Sequence, residues 1–195
     1  MVFQLLDVLT SAGILYAVAM GLLVIFGVMK IINFAHGAFL TVGGYSGLLV
    51  TQMSLSPWAA LPFAAVVGLA LGAIVERVVV RPLYDRPLDA ILATWGLGIV
   101  IGQVITLVFG RGVQFVESPL SGTVNIVGVD YSQYRILLVV IAVLVGAAIA
   151  LILARTRLGL VTRAVIANEE LARGLGINSN LVRFATFSLG SALAS

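Results

Sequence analysis

The chain has 195 residues, of which 61% are hydrophobic and 10% charged, with a mean hydropathy of +1.17. Soluble domains run nearer 45–50% apolar and about 25% charged, so there is too little charge to clothe a water-facing core and lipid must cover part of the surface. The absence of cysteine excludes a disulfide framework, a thiolate metal site and a cysteine nucleophile, and a balance of +3 gathered between apolar runs points to membrane orientation rather than nucleic acid.

A helix needs roughly 20 apolar residues to cross the hydrocarbon, and charge-free intervals of that size recur along the chain. The first runs from Val8 to Met29, between Asp7 and Lys30; with no basic residue ahead of it, it is expected to stay in the mature protein rather than be removed as a leader. The run Ile31-Ile32-Asn33-Phe34-Ala35-His36-Gly37 then interrupts the apolar pattern, and polar groups there need partners. Two readings stand. Either the segment is a broken helix lining a polar pathway, with Gly43, Gly44 and Tyr45 one or two turns deeper, or it is a capped helix end at the headgroups, with Asn33 satisfying backbone groups and His36 interfacial.

The charge-free stretch Gly37 to Val75 is long enough for two crossings, at about 37–53 and 57–75, with Ser54, Ser56 and Pro57 turning the chain between them. Glu76 to Asp89 contains Pro82 and Pro87 and cannot be one regular helix; its arginines, Arg77, Arg81 and Arg86, are expected to meet lipid headgroups. The fourth crossing, Ala90 to Gly110, carries Thr94, Trp95, Gly96 and Gln103, with Trp95 too deep for a simple interfacial belt. Either packing or substrate contact accounts for those residues. Arg111 to Arg135 holds Pro119, Gly122 and Gly128 with β-leaning runs Thr123 to Val127 and Val129 to Tyr131, which predicts a small hairpin over a pore mouth.

The fifth crossing is Ile136 to Ala154. Arg155 to Arg183 is longer and more polar than a minimal connection between helices. Within it, Asn168 can cap a short helix whose first turn holds Glu169 and Glu170 at the positive dipole end, and Gly174 and Gly176 can close it. Leu171 and Leu175, four apart, would share a face that a partner could bury; a solvated connector is the plainer alternative. A sixth apolar run begins at Phe184 and is still open at Ser195, so six crossings are expected, the last incomplete. Small residues four apart (Gly13, Ala17 and Gly21; Gly43 and Gly47; Gly68 and Gly72; Gly98 and Gly102) predict close helix packing.

The connecting segments alternate in charge. Nine basic residues (Lys30, Arg77, Arg81, Arg86, Arg155, Arg157, Arg163, Arg173, Arg183) fall on one side and two (Arg111, Arg135) on the other, which places the amino terminus outside. Enzyme chemistry finds little material. Gly43-Gly44-Tyr45-Ser46-Gly47 is not a nucleophile elbow, one histidine with no carboxylate within a helix makes neither a metal site nor an acid–base pair, and Lys30 follows no glycine-rich loop. No catalytic residue, metal or cofactor is expected, and any ATP must be used by another chain.

Several stretches together resemble the permeases of the branched-chain amino acid ABC importers, a family that includes urea and short-chain amide importers. They are Ile32-Asn33-Phe34-Ala35-His36-Gly37 with Gly43-Gly44-Tyr45; Glu76-Arg77 with Arg81-Pro82-Leu83; Leu92-Ala93-Thr94-Trp95-Gly96; Thr156-Arg157-Leu158-Gly159-Leu160 with Arg163-Ala164; and Asn168-Glu169-Glu170-Leu171-Ala172 with Gly174-Leu175-Gly176-Ile177-Asn178. The likeness implies an all-α, polytopic transmembrane bundle of the ABC importer permease type. It would form a single permease domain over residues 1–195, incomplete at its carboxyl end, with a coupling loop at about 155–183 and an external loop at about 111–135.

It also implies that Asn168 to Ile177 is the coupling helix docking on a cytoplasmic ATPase, with Arg163, Asn168, Glu169, Glu170, Leu171, Ala172, Gly174, Gly176 and Ile177 as coupling residues. By the same likeness Asn33, His36, Gly37, Gly43, Gly44 and Tyr45, with Thr94 and Trp95, belong to the translocation pathway. The implied partners are ABC ATPase subunits, a second permease, a periplasmic binding protein and membrane lipid, in a bacterial inner membrane, with no nucleic acid. The expected function is import of branched-chain amino acids by alternating access, with urea or a short-chain amide, or an ATP-independent channel for a small neutral solute, as alternatives.

Overall fold

The computed structural model describes residues 2–116, 118–126 and 128–195. Within these residues eight α-helices and one β-hairpin follow one another: α1 (Val2–Met29), α2 (His36–Gln52), α3 (Ala60–Val75), α4 (Pro87–Phe109), β1 (Thr123–Ile126), β2 (Val129–Ser132), α5 (Gln133–Arg155), α6 (Arg157–Ala167), α7 (Glu169–Gly174) and α8 (Ser179–Ala194). Among the described residues, four helical stretches are long and apolar enough to cross a membrane: Val2–Met29, Pro57–Leu83, Pro87–Phe109 and Gln133–Arg155. The second of these is α3 with the short turns at either end. The expected crossings at 37–53 and from Phe184 correspond to α2 and α8, which at 17 and 16 residues are shorter but pack inside the bundle.

The molecule is apolar outside as well as inside. Leu15, Leu107, Val140 and Leu151 are exposed on the long helices, as expected where lipid is the solvent. Between helices lipid offers no hydrophobic drive, so close backbone approach and dispersion hold the bundle. α8 lies at its centre, packed chiefly on α3 and α1. A Cβ on Gly21 would stand 2.7 Å from the Gly190 carbonyl oxygen, and one on Gly72 would stand 2.6 Å from Ser191. The predicted small-residue spacing therefore serves α8 in the first and third crossings. Phe39 of α2 and Phe187 of α8 meet edge to face at 6.2 Å above Ile25, Val75 and Ala90.

Three elements depart from the expected pattern. α1 begins at Val2 rather than Val8, so Asp7 sits within it, paired with Arg135 of α5. Residues 157–167, expected as connector, form the amphipathic α6. Thr156 caps it by accepting from the Gly159 amide at 3.2 Å, and Gly159 lies so tightly against the Ile152 and Leu153 carbonyls that only glycine permits the α5–α6 corner. The Glu76 to Asp89 segment is irregular, as its prolines require: a π-turn (Glu76–Val80), a 3-10 turn (Arg81–Leu83), then α4 with Pro87 in its first turn. Pro82 has no N–H and its ring crowds the carbonyl four residues back, which accounts for the widened turn before it.

The hairpin forms with Thr123 opposite Ser132 and Ile126 opposite Val129. Asn125 Oδ1 accepts from the Gly128 amide at 3.0 Å, and Gly128 takes φ +80°; Val127, the end of the first expected β run, lies outside the described residues. Tyr131 anchors the hairpin on α1: its buried hydroxyl donates to the Leu6 carbonyl at 2.9 Å and bonds the Thr10 hydroxyl at 2.8 Å. The hairpin thus lies at the α1 amino-terminal end, opposite α6 and α7.

Candidate functional site

Two regions gather polar residues expected at a functional site. The first is the break between α1 and α2. Lys30 ends α1 with φ +56°, and the chain turns through Asn33, whose Oδ1 accepts from the Ala35 amide at 3.0 Å. His36 opens α2 and its Nε2–H donates to the Val18 carbonyl of α1 at 2.8 Å. The Phe34 amide donates to Thr94 Oγ1 at 3.2 Å, and that hydroxyl donates in turn to the Ile91 carbonyl at 2.9 Å. His36 therefore ties α2 to α1, Thr94 ties the turn before α2 to α4, and Asn33 closes that turn, all three buried. The His36 ring is turned into the interface between α1 and α2. The Asn33 Nδ2 and His36 Nδ1 atoms remain buried without a partner.

The eight residues expected on the pathway do not converge. Gly43 packs on the Ser195 backbone, inside the bundle with the buried trio. Gly37 and Gly44 are exposed on the outer side of α2, with nothing within 4 Å of an added Cβ. Trp95 is 58% exposed on α4. Tyr45 is half-buried, its ring 4.6 Å from that of Phe109.

The second region is the α6–α7–α8 segment. Asn168 caps α7, its Oδ1 accepting from the Leu171 amide at 2.9 Å, with Glu169 and Glu170 in the first turn. The end is a Schellman turn: the Ile177 amide bonds the Ala172 carbonyl at 3.0 Å, the Gly176 amide bonds the Arg173 carbonyl at 2.9 Å, and Gly176 takes φ +84°. Gly174 is the last helical residue rather than the stop. Ala172 is buried beneath and Ile177 is half-buried, while Leu171 and Leu175 stand 65% and 75% exposed. Glu170 is exposed beside them. Arg163 sits apart on α6, exposed, its Nε donating to the Gly159 carbonyl at 3.4 Å.

Arg173, Ser179, Arg183, Tyr84 and Glu76, none of them among the expected site residues, join this segment to the bundle. Glu169 receives Arg173 at 2.7 Å and Arg183 of α8, and Arg173 Nε donates to Ser179 Oγ at 3.2 Å. The Arg183 guanidinium carbon stacks 4.4 Å from the centroid of the Tyr84 ring, and the Tyr84 hydroxyl donates to Glu76 Oε1. Burial first, and then the Glu76 carboxylate, push the Tyr84 phenol above its ordinary range, so it stays protonated and donates. Glu76 is 0% exposed. It corrects the expectation that no helix holds a carboxylate; Asp7 and Asp89 lie in helices as well. The available signal was position: an ionisable residue directly after 39 charge-free residues, Gly37 to Val75, is a functional candidate by default.

No solved structure matches the chain. A sequence profile of the family described as branched-chain amino acid transport system, permease component, matches residues 4–195. The high-affinity branched-chain amino acid transport system permease protein BraD of Pseudomonas aeruginosa is 30% identical over 98% of this chain and 67% of its own length. LivH of Escherichia coli is 26% identical over 95% of this chain and 65% of its own. A probable branched-chain amino acid transport permease LivH of Methanocaldococcus jannaschii is 27% identical over 94% and 60%. The chain thus spans about two thirds of the length of these relatives. A match over nearly every residue, on a multi-pass apolar bundle, means that the chain belongs to the family of permease components of branched-chain amino acid transport systems.

Proposed function

We propose that this chain is the membrane permease of an ABC importer that carries branched-chain amino acids across a prokaryotic plasma membrane, with ATP hydrolysed by a separate ATPase. Family membership supports the reading, and the observation that carries it is α7. A six-residue helix, capped at both ends and tied to α8 by Glu169, holds Leu171 and Leu175 out into solvent. An apolar ridge held so rigidly suits a groove on a partner. Arg163, Asn168, Glu169, Glu170, Ala172, Gly174, Gly176 and Ile177 shape or flank that ridge.

The basic excess around Lys30, Arg77, Arg81, Arg86 and α6–α8 supports a cytoplasmic position for this end, and so an external amino terminus beneath the hairpin. In the same reading Asn33, His36, Thr94 and Gly43 hold the interior of the pathway half. Gly37, Gly44 and Trp95 face outward, with Tyr45 half-buried against Phe109, where a second permease subunit would complete it. A periplasmic binding protein delivers substrate at the hairpin end.

The test is reconstitution of the full permease complex with its binding protein in proteoliposomes. ATP-dependent uptake of leucine, isoleucine or valine is the expected result. ATP-dependent uptake of urea or a short amide alone would replace the substrate, and uptake indifferent to ATP would replace the mechanism with a channel.

A further inference from the structure

The chain Glu76–Tyr84–Arg183–Glu169 leaves two buried polar atoms without a partner among the described residues, Glu76 Oε2 at one end and Arg183 Nε near the other. Buried polar atoms are ordinarily satisfied, and exceptions call for a reason. Here one orphan is a carboxylate acceptor and the other a guanidinium donor, which are strong partners for each other. Only the phenol of Tyr84 separates them, with the guanidinium on its ring and Glu76 at its hydroxyl. The far end is prepared for an exchange as well. Glu169 is shared between Arg183 and Arg173, so if Arg183 leaves, Glu169 keeps a cation and no carboxylate is stranded.

We propose that Glu76 and Tyr84 are positioning residues of the transport cycle, and that Arg183 exchanges Glu169 for Glu76 as the α7 helix moves. The inference rests on the importer reading above. In the state seen here α7 holds Arg183, and through it the first turns of α8, by way of Glu169. Displacing α7 loosens that pair, Tyr84 swings aside, and Arg183 closes on Glu76 at the end of α3. Because α8 packs on α1, α2 and α3, a shift at Arg183 is transmitted along the central helix. Two arrangements with matched ion pairing differ little in energy, and a partner that binds one of them better selects it.

The test uses the full permease complex with its ATPases and binding protein in proteoliposomes. In Glu76→Gln the amide still accepts from Tyr84 but cannot hold the arginine charge. ATPase co-purification is expected to persist while uptake falls about tenfold. Tyr84→Phe removes the hydroxyl that occupies Glu76 and favours the exchanged pair, so ATP hydrolysis without substrate is expected to rise about threefold. A merely structural role would lower both variants together. Uptake by Glu76→Gln within about twofold of the unmodified complex, or lowered basal hydrolysis in Tyr84→Phe, overturns the exchange; should Glu76→Gln fail to assemble, the direction of the Tyr84→Phe change decides alone. An unmodified complex that binds no ATPase overturns the importer reading itself, and this one with it.

Discussion

Replacing Leu171 and Leu175 together with alanine isolates the apolar part of the proposed docking ridge. Both side chains are already in solvent, at 65% and 75% exposure, and alanine is the best helix former, so the variant removes nothing that holds the bundle together. Fully burying a leucine contributes about 1.5–3 kcal/mol; scaled by those exposures, seating both leucines in a partner groove is worth about 2–4 kcal/mol. Alanine retains roughly a third of that, leaving a loss of about 1.4–2.8 kcal/mol, or about 10–100-fold in Kd. The assay is titration of the purified ATPase against the permease in nanodiscs, with insertion and folded yield measured alongside. A Kd within about threefold of the unmodified protein, at normal yield, refutes the assignment of this ridge.

Asn168→Ala removes the cap on the Leu171 amide and is expected to destabilise α7 by about 1 kcal/mol, seen as faster hydrogen exchange at Leu171 and Ala172, with Asn168→Asp close to normal. Gly21→Val forces a branched side chain against the Gly190 carbonyl, which stands 2.7 Å from an added Cβ. It is expected to cost about 1–3 kcal/mol and to lower the melting temperature in detergent, whereas Gly102→Val, with nothing within 4 Å, is expected to leave it unchanged. Tyr84 has its pKa raised from 10.0. A group raised on folding contributes stability that is complete below its unfolded pKa and is lost as pH climbs toward the folded value. The Glu76–Tyr84 link is therefore intact at neutral pH and weakens only above about pH 10, and the ultraviolet tyrosinate titrations of the unmodified protein and Tyr84→Phe should coincide through about pH 10. A one-tyrosine difference with a midpoint near 10 contradicts the assignment.

The long helices were legible because a charge-free run of bilayer length has few other solutions, and their ends agree with the structure within a few residues, apart from the early start of α1 at Val2. The α7 caps were legible because capping is local chemistry: Asn168 and Gly176 act on amides and carbonyls a few residues away. α6 was missed because Arg157 and Arg163 read as connector charge, although Thr156 marks its start. The candidate pathway residues, three short stretches in the sequence, are split between interior and surface, within α2 and α4 by the helical turn. His36 faces α1 and Asn33 is buried in the turn before α2, while Gly37 and Gly44 face away.

Composition and neighbours within a few residues are enough for the membrane class, the long apolar helices, the hairpin turn, the caps of α7 and the uneven distribution of basic charge. Which charges meet depends instead on how the helices pack. Glu76, Tyr84, Glu169 and Arg183 lie scattered over more than a hundred residues, and each taken alone reads as an ordinary interfacial group. They become a chain of contacts because α8 is drawn into the centre of the bundle by glycine-sized gaps in α1 and α3. That packing places Arg183 over Tyr84 and leaves Glu76 no water to face, and in a low-dielectric interior a carboxylate so placed must take its partners from the protein itself.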